Sequence, residues 1–318
     1  MKPIKAYTIY LSCNMYSDVP KEKYLFSKDY PMEYYYLGEC IAEPDTFKLL
    51  CDEAKKAGID TLIVFAGDGV KYDSHPEIAL PGAWSKKTLI SCLDHAKALG
   101  LKIMPHLNFS TARDIWMGEY SRMVSTDEYY DFCRDIIKET CEIFGSPEYF
   151  HLGMDDEYME FQLKYDYMAA RGDKLFIHDL KFLVEECRKN GATPWVSCDF
   201  ALEYAHLFKD AVDSDIPVVG ATPVWNDMHG SKPKPENEKK TFKSVADMGY
   251  DLICNMSCWS NNSGPRYVRD FAKEKLPKNQ IAGFAITPFL VCTDENKHKL
   301  IYEILHGLRA INDFYKEA

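Results

Sequence analysis

Three carboxylates stand in a row in the stretch EYFHLGMDDEYM, residues 148–159: Asp155, Asp156 and Glu157. Acidic side chains this close repel one another, and the repulsion raises the apparent pKa of at least one of them. One carboxyl can then keep its proton near neutrality and act as a general acid while its neighbour stays an anion. The competing reading is a solvated loop start, in which the charges spread into water and no such shift arises. Just before the acids, Tyr149, Phe150, His151 and Leu152 form a short apolar run of strand type, so the acids follow a buried element directly. On a strand, His151, Gly153, Asp155 and, if the strand continues, Glu157 point one way. Gly153 would leave room there for a ligand or a neighbouring side chain.

The elements that must position these acids are marked by a recurring punctuation. A helical pattern ends in glycine and a short apolar run follows, as in AKKAGIDTLIVFAG, AKALGLKIMPHLN, EIFGSPEYFHLG, RKNGATPWVSCD and ADMGYDLICNMS. Glycine just past a helix end takes the left-handed cap conformation at little steric cost. The glycines Gly58, Gly100, Gly145, Gly191 and Gly249 are 42, 45, 46 and 58 residues apart, one βα unit per step with room for two in the last. In EPDTFKLLCDEAKKAG, residues Phe47, Leu50, Cys51, Ala54 and Ala57 share one face of a 3.6-residue period, with Pro44 in the first turn. Ser125 and Glu128 have capping-box spacing ahead of another helix. Strand patterns are AYTIYLSC, TLIVFAG, KIMPHLN, YFHLGMD, TPWVSCD, IPVVGATPVW, DLICNMSC and AGFAITPF, mostly continuous apolar runs suited to parallel strands covered on both faces. Eight strand–helix units, closed by a long last helix, predict a single α/β domain over residues 1–318, a (β/α)8 TIM barrel. A doubly wound open sheet would need a glycine-rich phosphate turn, and FAGDGVKYD lacks its G-x-G-x-x-G spacing.

Active sites in this fold lie at the C-terminal mouth of the barrel. The strand ends offer Asn14; Asp68; His106 and Asn108; His151 with the three acids; Trp195 and Asp199; Trp225, Asn226 and Asp227; and Asn255, Ser257 and Trp259. Carboxylates beside tryptophans suit a carbohydrate, acids moving protons and binding hydroxyls while indole faces take the C–H side of a pyranose. Strand ends are also polar simply because they meet solvent, but that explains three tryptophans at successive mouths poorly.

The segment FHLGMDDE resembles the H-x-G-x-D-E signature of the family 20 glycoside hydrolases, the β-N-acetylhexosaminidases, carried at the end of strand four of a TIM barrel. GIDTLIVFAGDGVKY with AKALGLKIMPHLN is similar to that family's second and third strands, and TPWVSCD to its strand-five Trp segment. The resemblance implies substrate-assisted hydrolysis: an Asp orients the 2-acetamido group, whose carbonyl oxygen attacks the anomeric carbon, and a Glu protonates the leaving oxygen. His151, Gly153 and Asp155 match directly; Asp156 stands at the family's Glu position and Glu157 follows one residue later. The acid is therefore either Asp156 or, if the strand end bulges, Glu157, whose extra methylene gives more reach. Asn14 stands near the family's strand-one Arg, and PHLN replaces its acidic third-strand ending. No carboxylate follows strand seven to act as an enzyme nucleophile, which favours substrate assistance or an inverting route through Asp199 or Asp227.

Composition narrows the partners. A net charge of −11 and the lack of a dense basic stripe argue against nucleic acid. No apolar run of membrane-spanning length occurs and the N-terminal apolar stretch is short for a secretion signal, so a cytoplasmic protein is expected. Eleven cysteines, including Cys51, Cys92, Cys133, Cys141 and Cys187, sit mostly singly in apolar patterns, as reduced core-filling thiols would. No cofactor or metal is expected, and a small carbohydrate or glycoconjugate is the expected partner. Two other classes stay open: a metal-dependent barrel hydrolase using His106, His151, Asp199 and His229, and a non-catalytic sugar-binding barrel.

Overall fold

Eight parallel strands close into a barrel in the computed structural model: β1 (Ile4–Tyr10), β2 (Thr61–Phe65), β3 (Lys102–His106), β4 (Tyr149–His151), β5 (Thr193–Ser197), β6 (Val218–Ala221), β7 (Leu252–Met256) and β8 (Ile281–Ile286). The structure describes residues 3–12, 37–111, 113, 115–155, 157, 171–203, 205–213, 215–221, 242–258 and 262–316. Closure rests on β1, which pairs with β2 from Ala6↔Thr61 and with β8 from Ile4↔Gly283. The open-sheet alternative is thereby excluded. Around the ring lie α1 (Pro44–Ala57), α2 (Lys86–Ala98), α3 (Asp127–Phe144), α4 (Asp173–Lys189), α5 (Asp199–Glu203), α6 (Ala205–Ala211), α7 (Phe242–Asp247), α8 (Gly264–Lys275) and α9 (Lys297–Lys316). The five cap glycines all have positive φ, from 72° to 108°.

The near-continuous apolar strands serve two separate cores. Ala6, Ile63, Met104, Trp195, Val219, Ile253 and Ala285 fill the barrel interior. Alternate residues such as Tyr7, Leu62, Val64, Phe150, Val196, Leu252 and Phe284 pack against the helices. Successive side chains on a strand point to opposite faces, so one apolar run feeds both layers. Helix α1 buries Phe47, Leu50, Cys51 and Ala54, four of the five residues expected on its inner face, and leaves Ala57 half-buried. Cys51, Cys92, Cys133, Cys141 and Cys187 are free thiols buried in the outer layer, and burial pushes Cys92 up to about 11. No helix among the described residues is long and apolar enough to cross a membrane.

One helix start lies a residue later than the capping-box spacing indicates. Thr126 is the N-cap of α3, its hydroxyl accepting from the Tyr129 amide at 3.3 Å. Ser125 instead has φ +65° and donates its hydroxyl to Asp179 at 2.6 Å, so a partner distant in sequence has drawn it out of the cap.

Helix α9 carries a buried acid. Leu300, Ile304, Leu308, Ile311 and Phe314 are buried along it, each contributing roughly 1.5–3 kcal/mol. Among them Glu303 is fully buried and accepts from the Cys258 amide at 3.4 Å. Burial pushes its carboxyl up to about 8, against the opposing effects of the Cys258 amide and Lys299. The folded state thus holds a proton that the unfolded chain releases above its ordinary value of 4.5. Stability from this group is complete below pH 4.5 and is lost as pH rises through about 8, a fall of roughly a few kcal/mol. Glu303→Gln keeps the neutral shape, so its urea-unfolding free energy is expected to vary less with pH across that window and to exceed wild type at the alkaline end. Equal pH slopes for the two proteins would contradict this.

Candidate active site

The C-terminal end of the barrel is floored by rings. Tyr10 and Phe65 lie 5.2 Å apart between centroids, Phe65 meets His106 edge-on at 5.0 Å, and His106 stacks on His151 at 4.0 Å. The register His106↔His151↔Trp195 places these three residues at one level. Burial, with His151 and Arg113 nearby, pushes the His106 imidazole well below its usual range, and burial pushes His151 down to about 3. Both are therefore neutral near pH 7. The Gly153 amide donates to His151 Nδ1 at 2.9 Å, which leaves the His151 ring proton on Nε2.

Strand β4 stops at His151, and this decides where the acids go. Gly153 (φ +68°) and Met154 (φ +65°) are both left-handed, so the alternation of side chains ends before Asp155. Only glycine suits position 153, since a Cβ there would fall 2.2 Å from Asn108 Oδ1. The room that Gly153 leaves is filled by the Asn108 side chain. Asn108 Oδ1 accepts from the amides of Ser110 and Met154, each at 3.1 Å, and its Nδ2 donates to Asp155 Oδ1 at 2.6 Å. Ser110 adds a hydroxyl bond to the Asp155 carbonyl. Arg113 Nε pairs with the other carboxylate oxygen of Asp155 at 2.9 Å. The Asp155 side chain remains 24% exposed, so it is held from two sides yet open to solvent.

Glu157 occupies a different environment, with its side chain only 2% exposed. Its carboxylate accepts from the Thr111 amide at 2.7 Å, from Arg171 Nε at 3.0 Å and from Arg171 Nη2. Arg171 also donates to the Phe109 carbonyl and to Asp179, each at 3.0 Å. Asp179 in turn accepts from Ser125 and Tyr130, both at 2.6 Å. The strand does not continue to Glu157, so the condition under which Asp155 and Glu157 would share one direction is not met. The reach expected of Glu157 toward the mouth is taken up by these contacts, since both of its carboxylate oxygens already accept from donors of the protein.

The remaining expected site residues divide three ways. Asn14, Asp156, Trp225, Asn226, Asp227, His229 and Trp259 lie outside the described residues. Asp68 is buried in the turn Gly67–Gly69 after β2, Asp199 opens α5, and Asn255 accepts from the Thr287 hydroxyl at 2.6 Å across β7 and β8. Trp195 is 0% exposed inside the barrel, below the mouth, so its indole is part of the interior core and offers no open face to a sugar. Of the groups weighed for a metal, His106 and His151 stack face to face, and among the described residues no three His, Cys, Asp or Glu side chains gather as ligands. Sequence reasoning missed Arg113, Arg171 and Asp179. Arg113 carried one usable signal, a cation in the loop just after the PHLN strand end. Arg171, separated from Glu157 by 14 positions, carried none.

No protein-family model and no curated protein matches the chain. Solved structures do. A family 20 β-N-acetylhexosaminidase from Streptomyces coelicolor superposes with a TM-score of 0.66 at 13% identity, over 96% of this chain and 63% of that one. A mutant Streptomyces plicatus β-hexosaminidase, solved with its product GlcNAc, gives 0.64 at 13% identity over 98% and 63%. Dispersin B gives 0.59 at 14% identity over 98% and 99%. The chain thus spans less than two thirds of the two Streptomyces enzymes. Its eight-stranded barrel is of the fold found in the family 20 β-N-acetylhexosaminidases, at identities that speak to the fold alone.

Proposed function

We propose that the chain is a glycoside hydrolase whose substrates are β-N-acetylhexosaminides, cleaved with assistance from the substrate's own acetamido group. The observation that carries this reading is Asp155, a carboxyl group fixed just past the end of β4 by Asn108 and Arg113 and still partly exposed. A carboxylate held so firmly can orient an acetamido N–H and balance the positive charge that develops as the carbonyl oxygen attacks C1. The general acid is Asp156, which stands where the H-x-G-x-D-E signature has Glu. Neutral His151 supports the β4 end through the Gly153 amide rather than by moving a proton.

The test is hydrolysis of 4-nitrophenyl glycosides across a sugar panel, comparing β-N-acetylglucosaminide and β-N-acetylgalactosaminide with the glucoside, galactoside and mannoside. The reading expects turnover of the 2-acetamido sugars and at least 100-fold less of the others, since without the acetamido group no internal nucleophile is present. Activity on glucosides alone would overturn it. Binding of N-acetylglucosamine without turnover of any substrate would favour the non-catalytic barrel, a reading supported by the shorter Asp at the acid position.

A further inference from the structure

We infer that Glu157 is a positioning residue: paired with Arg171, it locks the loops that follow β3 and β4 into the register in which Asp155 meets Asn108 and Arg113. This rests on the glycosidase reading above and assigns a part to a residue which that reading leaves without one. The Glu157 carboxylate reaches the Thr111 amide, and the same Arg171 guanidinium that holds it donates to the Phe109 carbonyl. Phe109 and Thr111 flank Ser110, which bonds the Asp155 carbonyl, and Phe109 follows Asn108, which bonds the Asp155 side chain. Asn108, Ser110 and Arg113, which hold Asp155 from the β3 side, therefore each lie within two residues of a contact made by the Glu157–Arg171 pair.

The pair is itself anchored from outside the mouth. Asp179 on α4 takes the third arm of Arg171, and Ser125 and Tyr130 fix Asp179 to the start of α3. The Arg171 guanidinium also lies over the Phe176 ring, 5.4 Å from its centroid. Side-chain exposures of 1% for Arg171, 2% for Glu157 and 0% for Asp179 keep water from competing for these bonds. Proton transfer has no part in this assignment: the effect of Glu157 reaches the substrate only through loop geometry.

The experiment compares wild type with Glu157→Gln and Arg171→Lys in the intact chain. It uses 4-nitrophenyl and methyl β-N-acetylglucosaminide as substrates with good and poor leaving groups. Amide exchange at residues 109–111 is followed in parallel. Positioning predicts that both variants lose kcat by the same factor on the two substrates, about 10- to 100-fold. It also predicts that the alkaline limb of the pH–rate profile persists and that the 109–111 amides exchange faster. A general acid predicts the opposite pattern for Glu157→Gln: a far larger loss on the methyl glycoside than on the aryl one, and disappearance of the alkaline limb. That result would overturn the inference, as would unchanged rates together with unchanged exchange. If wild type turns over neither substrate, the glycosidase reading fails by itself. The exchange comparison then decides the loop-locking role alone, faster exchange supporting it and equal exchange refuting it. Should Glu157→Gln fail to fold, Arg171→Lys, which keeps the charge but loses the two-pronged grip, is read in the same way.

Discussion

Asp155→Asn is expected to lower the turnover of a 4-nitrophenyl β-N-acetylhexosaminide by about 10²- to 10³-fold, with the overall fold retained. Two effects act together. The substitution removes the negative charge that would balance the cation formed as the acetamido oxygen attacks. It also replaces one acceptor oxygen by an NH2 group. Both Asp155 oxygens face donors, Asn108 Nδ2 at 2.6 Å and Arg113 Nε at 2.9 Å, so either placement of the new amide sets donor against donor. The amide must turn away from one of them, and the loss should appear in kcat more than in KM. Steady-state kinetics with circular dichroism as a fold control is the measurement. A variant within threefold of wild type would remove Asp155 from the mechanism.

Arg171→Met is expected to destabilise the protein by about 3–5 kcal/mol, the largest effect anticipated for a single substitution among these groups. Methionine fills much of the same volume, so lost packing is a minor part. The cost comes from the two carboxylates left behind: Glu157 and Asp179 are both buried, and each loses its guanidinium partner. A triple change, Arg171→Met with Glu157→Gln and Asp179→Asn, removes the stranded charges and should recover most of the stability. Urea unfolding of the single and triple variants at pH 7 measures both expectations. A deficit under 1 kcal/mol at pH 7 would mean that water or a neighbouring group replaces the guanidinium.

The two parts of the molecule differ in how far they could be read from the chain. The Gly58, Gly100, Gly145, Gly191 and Gly249 caps announced the βα repeat, and all five adopt the left-handed conformation expected of them. The long step from Gly191 to Gly249 does hold two strands, β5 and β6. The location of the acids after a buried fourth strand was legible for the same local reason. The orientation of those acids was not. Alternation along β4 would give Asp155 and Glu157 one direction if the strand continued, but two consecutive left-handed residues, Gly153 and Met154, intervene. A glycine marks such a possibility, whereas a methionine at positive φ does not. Trp195 was misplaced for a related reason: its strand was identified correctly, yet the ring lies inside the barrel below the mouth rather than along its rim.

What the sequence by itself determined is the barrel: eight strands, their order, the helix faces that cover them and the strand end that carries the acids. These follow from periods of two and 3.6 residues and from glycine punctuation, which act over a few neighbouring positions. What only the tertiary structure decided is the different surroundings of Asp155 and Glu157. Asp155 meets Asn108 from 47 positions away, and Glu157 meets Thr111 from 46. Whether a carboxylate works as an exposed charge or as half of a buried pair depends on the donors that loop packing brings to it. Those donors arrive from other βα units, so no local pattern around Asp155 or Glu157 encodes them.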